Sequence, residues 1–105
     1  MADISIIIVT YNSSQFIGDC LDSISVQTNK EFEVVIIDNN STDETVEIIK
    51  QKLPNVYLIN NKENFGFSKG VNQGIERSKG KSVFILNSDI VLREDFMDQL
   101  KNALL

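Results

Sequence analysis

The sequence contains no histidine, one cysteine, one proline and no excess of basic residues. Without histidine there is no Ser-His-Asp or Cys-His catalysis and no His-ligated metal site, so acid, base and metal work fall to carboxylates. Cys20, alone, cannot form an internal disulfide or a thiolate-only zinc site; it fits a reducing compartment and reads as a small buried residue on a helix face. Ten Lys and Arg against 15 Asp and Glu leave a net charge of −5, which offers no basic stripe to phosphate backbones or anionic lipid. Nucleic acid and membrane insertion are therefore not expected. A phosphorylated small molecule remains an acceptable partner if a divalent cation stands between carboxylate and phosphate. No apolar run approaches membrane-spanning length, and Met1 to Thr10 is too short and acidic for a signal peptide, so a cytoplasmic location is expected.

What is present is ordinary globular material. At 105 residues, 42% hydrophobic and 24% charged, the chain is one domain with room for one core and no segment biased toward disorder. Ile4 to Val9 is a β-branched run that stops at Thr10-Tyr11-Asn12-Ser13-Ser14, a cluster of cap formers that predicts the end of a strand and the start of a helix. Phe16, Ile17, Cys20, Leu21 and Ile24 recur at helical spacing, and that helix is expected to end near Val26 to Asn29. Phe32 to Ile37 predicts a second strand ending at Asp38-Asn39-Asn40. Ser41 and Glu44 have the capping-box spacing for a second helix that Pro54 stops, with Val46, Ile49 and Leu53 inward.

Val56 to Ile59 predicts a third strand ending at Asn60-Asn61. Gly66, Gly70 and Gly74 follow at intervals of four; on one helical face they imply either tight packing on a sheet or a ligand against the first turn. Ser82 to Leu86 predicts a fourth strand, fully buried, that breaks at Asn87-Ser88-Asp89, and Arg93 to Leu105 repeats apolar residues as a last helix. Strands alternating with helices imply a Rossmann-like three-layer α/β/α domain with a mainly parallel four-stranded sheet, order 3-2-1-4.

All four strands then end in polar residues on one sheet edge, where open α/β sheets bind ligands. Two tempting motifs fail. Gly80-Lys81-Ser82 lacks the upstream glycine of a P-loop and leads from helix to strand, and the glycines at 66, 70 and 74 do not give the dinucleotide spacing.

Val9-Thr10-Tyr11-Asn12, Asp38-Asn39-Asn40-Ser41-Thr42-Asp43, Asn64-Phe65-Gly66-Phe67-Ser68-Lys69-Gly70-Val71-Asn72-Gln73-Gly74 and Leu86-Asn87-Ser88-Asp89, in this order, resemble the family 2 glycosyltransferases, especially the rhamnosyltransferase-like branch. The resemblance implies the N-terminal half of a GT-A fold and a nucleotide-diphospho-sugar donor, UDP- or dTDP-linked. It places Thr10, Tyr11 and Asn12 at the base pocket, with Asp38 accepting from the base imide and Asn40 beside it; Asn64, Gly66 and Lys69 would close over nucleotide and phosphates. Asn87 and Ser88 would reach the ribose, and Asp89 would hold Mg²⁺ or Mn²⁺ on the diphosphate. Asn87 stands where the family's D-x-D has its first carboxylate, leaving one charged ligand, which magnesium sites tolerate.

Relative to the family, residues 1–105 are expected to be a truncated nucleotide-diphospho-sugar-binding half-domain, because the family's catalytic base and acceptor-binding portion lie beyond the D-x-D position. The implied reaction is inverting transfer of a sugar to an acceptor hydroxyl, and no residue here is assigned as the base. Two alternatives stand beside this expectation: a catalytically inactive nucleotide-binding fragment that self-associates, and a phospho-acceptor receiver-like module. The receiver would need an acidic pair where Tyr11 and Asn12 stand.

Overall fold

The computed structural model describes residues 3–104. Four strands and four helices alternate: β1 (Ile4–Thr10), α1 (Ile17–Ser25), β2 (Phe32–Asp38), α2 (Thr45–Lys52), β3 (Tyr57–Asn60), α3 (Phe67–Arg77), β4 (Ser82–Ile85) and α4 (Phe96–Ala103). The strands form one parallel sheet in the order β3-β2-β1-β4, as the alternation predicts. Register is continuous along β1 and β2, from Ile4 opposite Phe32 to Thr10 opposite Asp38. All four carboxyl ends therefore reach the same edge, and connectivity reverses direction between β1 and β4.

Alternation along β1 divides the core. Ile4, Ile6 and Ile8 point to the face covered by α1, α2 and α4, where they meet Ile17, Leu21, Ile24, Ile49 and Met97. Ile7 points the other way and joins Val35 and Ile37 beneath α3. Each fully buried aliphatic side chain contributes about 2 kcal/mol, so β1, buried on both faces, anchors the molecule. Gly70 and Gly74 explain how α3 fits so closely: a Cβ on Gly70 would lie 2.9 Å from Val9 Cγ1, and one on Gly74 would lie 2.6 Å from Ile7 Cγ2. Tight packing is thus the reason for these two glycines. Gly66 is different, since it precedes the helix with φ +90° and open space around it.

Three expectations need correction. The β4 strand is not fully buried. Phe84 and Leu86 pack into the α1 face, but Val83 and Ile85 are about two-fifths exposed, because α3 lies over β1 and β2 and leaves the edge strand uncovered. The capping box at α2 does not form. Ser41 turns back to Asp38, and Asp43 instead accepts from the Thr45 amide. Helix α1 starts only at Ile17: the Ser13 and Ser14 amides donate to Thr45 Oγ1 and Asp43, and the Ser13 carbonyl accepts from the Phe16 and Ile17 amides in a turn ahead of the helix.

Gln27, buried past the end of α1, accepts from the Met97 amide and donates to the Arg93 carbonyl. One side chain thereby satisfies an orphan amide in the first turn of α4 and ties that helix to α1. Leu105, the last residue of the expected final helix, lies outside the described residues.

Candidate functional site at the carboxyl edge of the sheet

At the ends of β1 and β2 the backbone chains are laced together by polar side chains. Asp38 is 1% exposed, and its carboxylate accepts from Thr10 Oγ1 at 2.7 Å, Ser41 Oγ at 2.6 Å and the Ser41 amide at 2.8 Å. Three of the four acceptor positions of the carboxylate are occupied within the protein. Asn12 Oδ1 accepts from the Thr42 amide, and the Asn12 amide donates to Ser41 Oγ. Asn12 and Asn40 have φ of 48° and 67°, left-handed conformations that asparagine tolerates better than most residues. Together with Gly66 they are the positive-φ positions among the described residues, and all three lie on this edge.

Asp43 stands at the entrance to α2. Partial burial pushes its carboxyl up, but hydrogen bonds from Thr45 and Ser14 outweigh this and hold it at about 2. The carboxylate is therefore a fixed acceptor that ties the β1–α1 loop to α2.

A second lattice joins β2, β3 and α3. Asn39, 2% exposed, donates from Nδ2 to the Gly66 carbonyl at 3.1 Å and accepts at Oδ1 from Asn61 Nδ2 at 2.9 Å. Asn61 and Gln73 exchange a reciprocal amide pair at 2.8 and 2.9 Å. Asn64 Oδ1 accepts from the Gly66 amide. The loop before α3 is thereby fastened to the ends of two strands. Lys69, in the first turn of α3, has its ammonium 4.1 Å from the centroid of the Phe65 ring.

The end of β4 is built differently. Asn87 and Asp89 are exposed, and Ser88 touches the rest of the edge through a 3.3 Å hydrogen bond to Ser13 Oγ. The Cys20 thiol lies under this stretch, 3.9 Å from the Asn87 carbonyl, and burial together with the Asp89 charge pushes its pKa up to about 11. A thiol so held is an inert packing group, in line with its apolar reading. Among the described residues the Asp89 carboxylate has neither an ion-pair nor a hydrogen-bond partner.

The edge brings Thr10, Tyr11, Asn12, Asp38 and Asn40 together across β1 and β2, places Asn64, Gly66 and Lys69 at the start of α3, and carries Asn87, Ser88 and Asp89 past β4. Composition and spacing missed Asn39, Asn61 and Gln73 as connectors. The doubled asparagines at 39–40 and 60–61 were the visible signal, but which member turns inward depends on the register between strands. A surface cavity lies elsewhere, lined by Phe32, Glu33, Val34, Leu53, Pro54, Asn55, Val56 and Tyr57 near the amino end of β2. It sits at the end of a parallel sheet that seldom binds ligands, and its Glu33 carboxylate is engaged by Ser5 Oγ and the Lys79 amide.

For a metal, the donors past β4 are an amide, a hydroxyl and one carboxylate. No group of three acidic or sulfur ligands occurs among the described residues. Such a set fits a hard, oxygen-seeking cation that takes its remaining ligands from phosphate and water.

A parallel sheet with its connectivity reversal at a polar edge is the arrangement of the doubly wound α/β proteins, which bind ligands in the crevice at the carboxyl ends of their strands. The glycosyl transferase family 2 profile matches residues 5–104, and the chain belongs to that family. It is 33% identical over 99 residues to the glycosyltransferase GlyA of Streptococcus pneumoniae, covering 92% of this chain and 14% of that one. Its structure resembles S. aureus TarS 1–349 in complex with UDP, with a TM-score of 0.86 and 30% identity over 97% of this chain and 31% of that chain. It also resembles the mannosyltransferase PcManGT from Pyrobaculum calidifontis in complex with GDP-Man and Mn²⁺, with a TM-score of 0.83 and 27% identity over 97% and 31%. The fold is that of the GT-A glycosyltransferases, and the chain spans about a third or less of the length of these proteins. No helix among the described residues is long and apolar enough to cross a membrane. The receiver-like alternative has no support beside this match.

Proposed function

We propose that this chain binds a nucleotide-diphospho-sugar and forms the donor side of an inverting, rhamnosyltransferase-like glycosyltransferase in the cytoplasm. The observation that carries it is the convergence of four strand ends on one edge with the Asp89 carboxylate unpartnered there among the described residues. TarS and PcManGT, solved with UDP and with GDP-Man, support the ligand class. The thymine or uracil preference rests on Asp38, whose remaining acceptor position on Oδ2 would take the imide proton. Thr10, Tyr11, Asn12 and Asn40 would frame the base, while Asn64, Gly66 and Lys69 would border the phosphates. Asn87 and Ser88 would meet the ribose.

Asp89 would hold Mg²⁺ or Mn²⁺. Bound there, the cation would supply Lewis-acid stabilisation of the departing diphosphate. The chain's own contribution is to orient the nucleotide against a prefixed edge, with Asp38 and Asn39 already locked before ligand arrives.

Calorimetric titration with UDP and dTDP, with and without Mn²⁺, tests this. Metal-dependent binding in the micromolar to millimolar range is expected, and no heat at millimolar nucleotide with a folded sample would sink it. A second reading, a nucleotide-binding unit without transfer activity that self-associates, is favoured by the exposed Val83 and Ile85 beside the open edge of β4. Donor hydrolysis would count against it, as would a strict monomer by light scattering.

A further inference from the structure

The contact between Lys69 and Phe65 lies outside the packed core. Phe65 is 38% exposed and stands outside both core clusters, and among the described residues Lys69 makes no ion pair. Yet the ammonium sits 4.1 Å from the ring centroid. Asn39 at the sheet edge donates to the Gly66 carbonyl, and the Gly66 amide donates to Asn64 Oδ1 within the loop; Gly66 is preceded by Phe65 and followed, in the first turn of α3, by Lys69. The next residue, Gly70, lies against Val9 at the carboxyl end of β1. The pair is therefore anchored at the candidate donor cleft, in a chain whose net charge of −5 supplies few cations for an anionic ligand.

We infer that Phe65 is a positioning residue for Lys69, holding its ammonium ready for the anionic diphosphate of the donor; this rests on the nucleotide-sugar reading above. The ring attracts the cation through its quadrupole and occupies one side of it. An ammonium has three N–H donors, so those directed away from the ring remain free for phosphate oxygens. A free lysine side chain surrenders considerable rotamer entropy when it binds, and a side chain already resting on a ring surrenders less. Phe65 then acts on the phosphates through Lys69 and not on the base.

The test is a double-mutant cycle on the full chain, read by calorimetry with UDP and with uridine in the presence of MnCl₂. Phe65→Leu is expected to weaken UDP binding about two- to fivefold, the range for an exposed cation–π contact, and to leave uridine unchanged. Phe65→Tyr keeps a ring and should restore UDP affinity. In a Lys69→Met background, Phe65→Leu should have no further effect on UDP. Equal loss for uridine and UDP would overturn the inference by making Phe65 a base-stacking ring, as would additive effects of the two substitutions. Binding of UDP that is unchanged in Phe65→Leu overturns it while leaving the nucleotide reading intact, whereas absence of UDP binding to the unsubstituted chain removes the nucleotide reading itself.

Discussion

The ends of β2 and β4 both carry a sequence-predicted aspartate, and the two could hardly be held more differently. Asp38 is buried, with three protein donors on its carboxylate, while Asp89 is exposed and unpartnered among the described residues. A carboxylate held mainly from inside sets the shape of a site and keeps a single acceptor position for a ligand. One left open to solvent retains its full capacity for a ligand, and its cost is low because water solvates it until the ligand arrives. A strand-end carboxylate therefore reads as structural or ligand-facing only once its donors are counted.

Substitutions can widen or collapse that contrast. Asp38→Ala strands the buried Thr10 hydroxyl and takes the acceptor from the half-buried Ser41 hydroxyl and amide; about 3 kcal/mol of stability should be lost, seen as a fall in Tm of at least ~12 °C in thermal denaturation. A near-normal Tm would put Asp38 in the same class as Asp89. Asn61→Ala removes the partner of both Asn39 and Gln73 and should cost about 1–2 kcal/mol. It should also raise amide exchange at Gly66 more than at residues of β1, and uniform protection would show that the lattice does not secure that loop.

Asp43 sharpens the comparison through pH. Its carboxyl is held at about 2 in the fold, below the unfolded value of about 3.9, so its ionised form favours folding. That contribution is complete above pH ~4 and disappears as pH falls toward 2. Asp43→Asn should flatten this part of the acid-unfolding curve followed by circular dichroism, and parallel curves would remove Asp43 as its source. Asp89→Asn should have the smallest structural effect, within about 0.5 kcal/mol and a few °C, typical of an exposed position. It should nevertheless abolish most of the Mn²⁺ dependence of UDP binding. A large fall in Tm would show that the carboxylate is fixed from within after all.

The sheet order and all eight elements were legible because each strand is a short apolar run and each crossover carries helical periodicity. The stacking of Gly70 and Gly74 on the sheet was legible in part, as one of two readings of their spacing. Local sequence could not show that Ser41 would serve Asp38 instead of α2, since that choice depends on Thr10 arriving from another strand. Likewise, Asn39 and Asn40 are chemically identical, and only the pairing of Asp38 with Asn60 decides which one meets Asn61. Burial of β4 was misjudged for a related reason: hydrophobicity reports what a strand could bury, while coverage depends on where α3 lies.

The register of β4 has a kinetic side. Ile4 meets Phe32 on one flank and Ser82 on the other, so β1 finds its first partner over a short loop and its second only after most of the chain is in place. Closing the longer loop costs about 0.9 kcal/mol more in chain entropy, and the strand that closes it has four residues paired on one side. The β4 strand should therefore be the last to dock and the first to detach, with backbone amides that exchange through local opening while β1 and β2 exchange only on global unfolding. Asp89 consequently follows an edge strand tethered on one side, and a ligand bridging it to the β1 and β2 ends would bolt that strand in place.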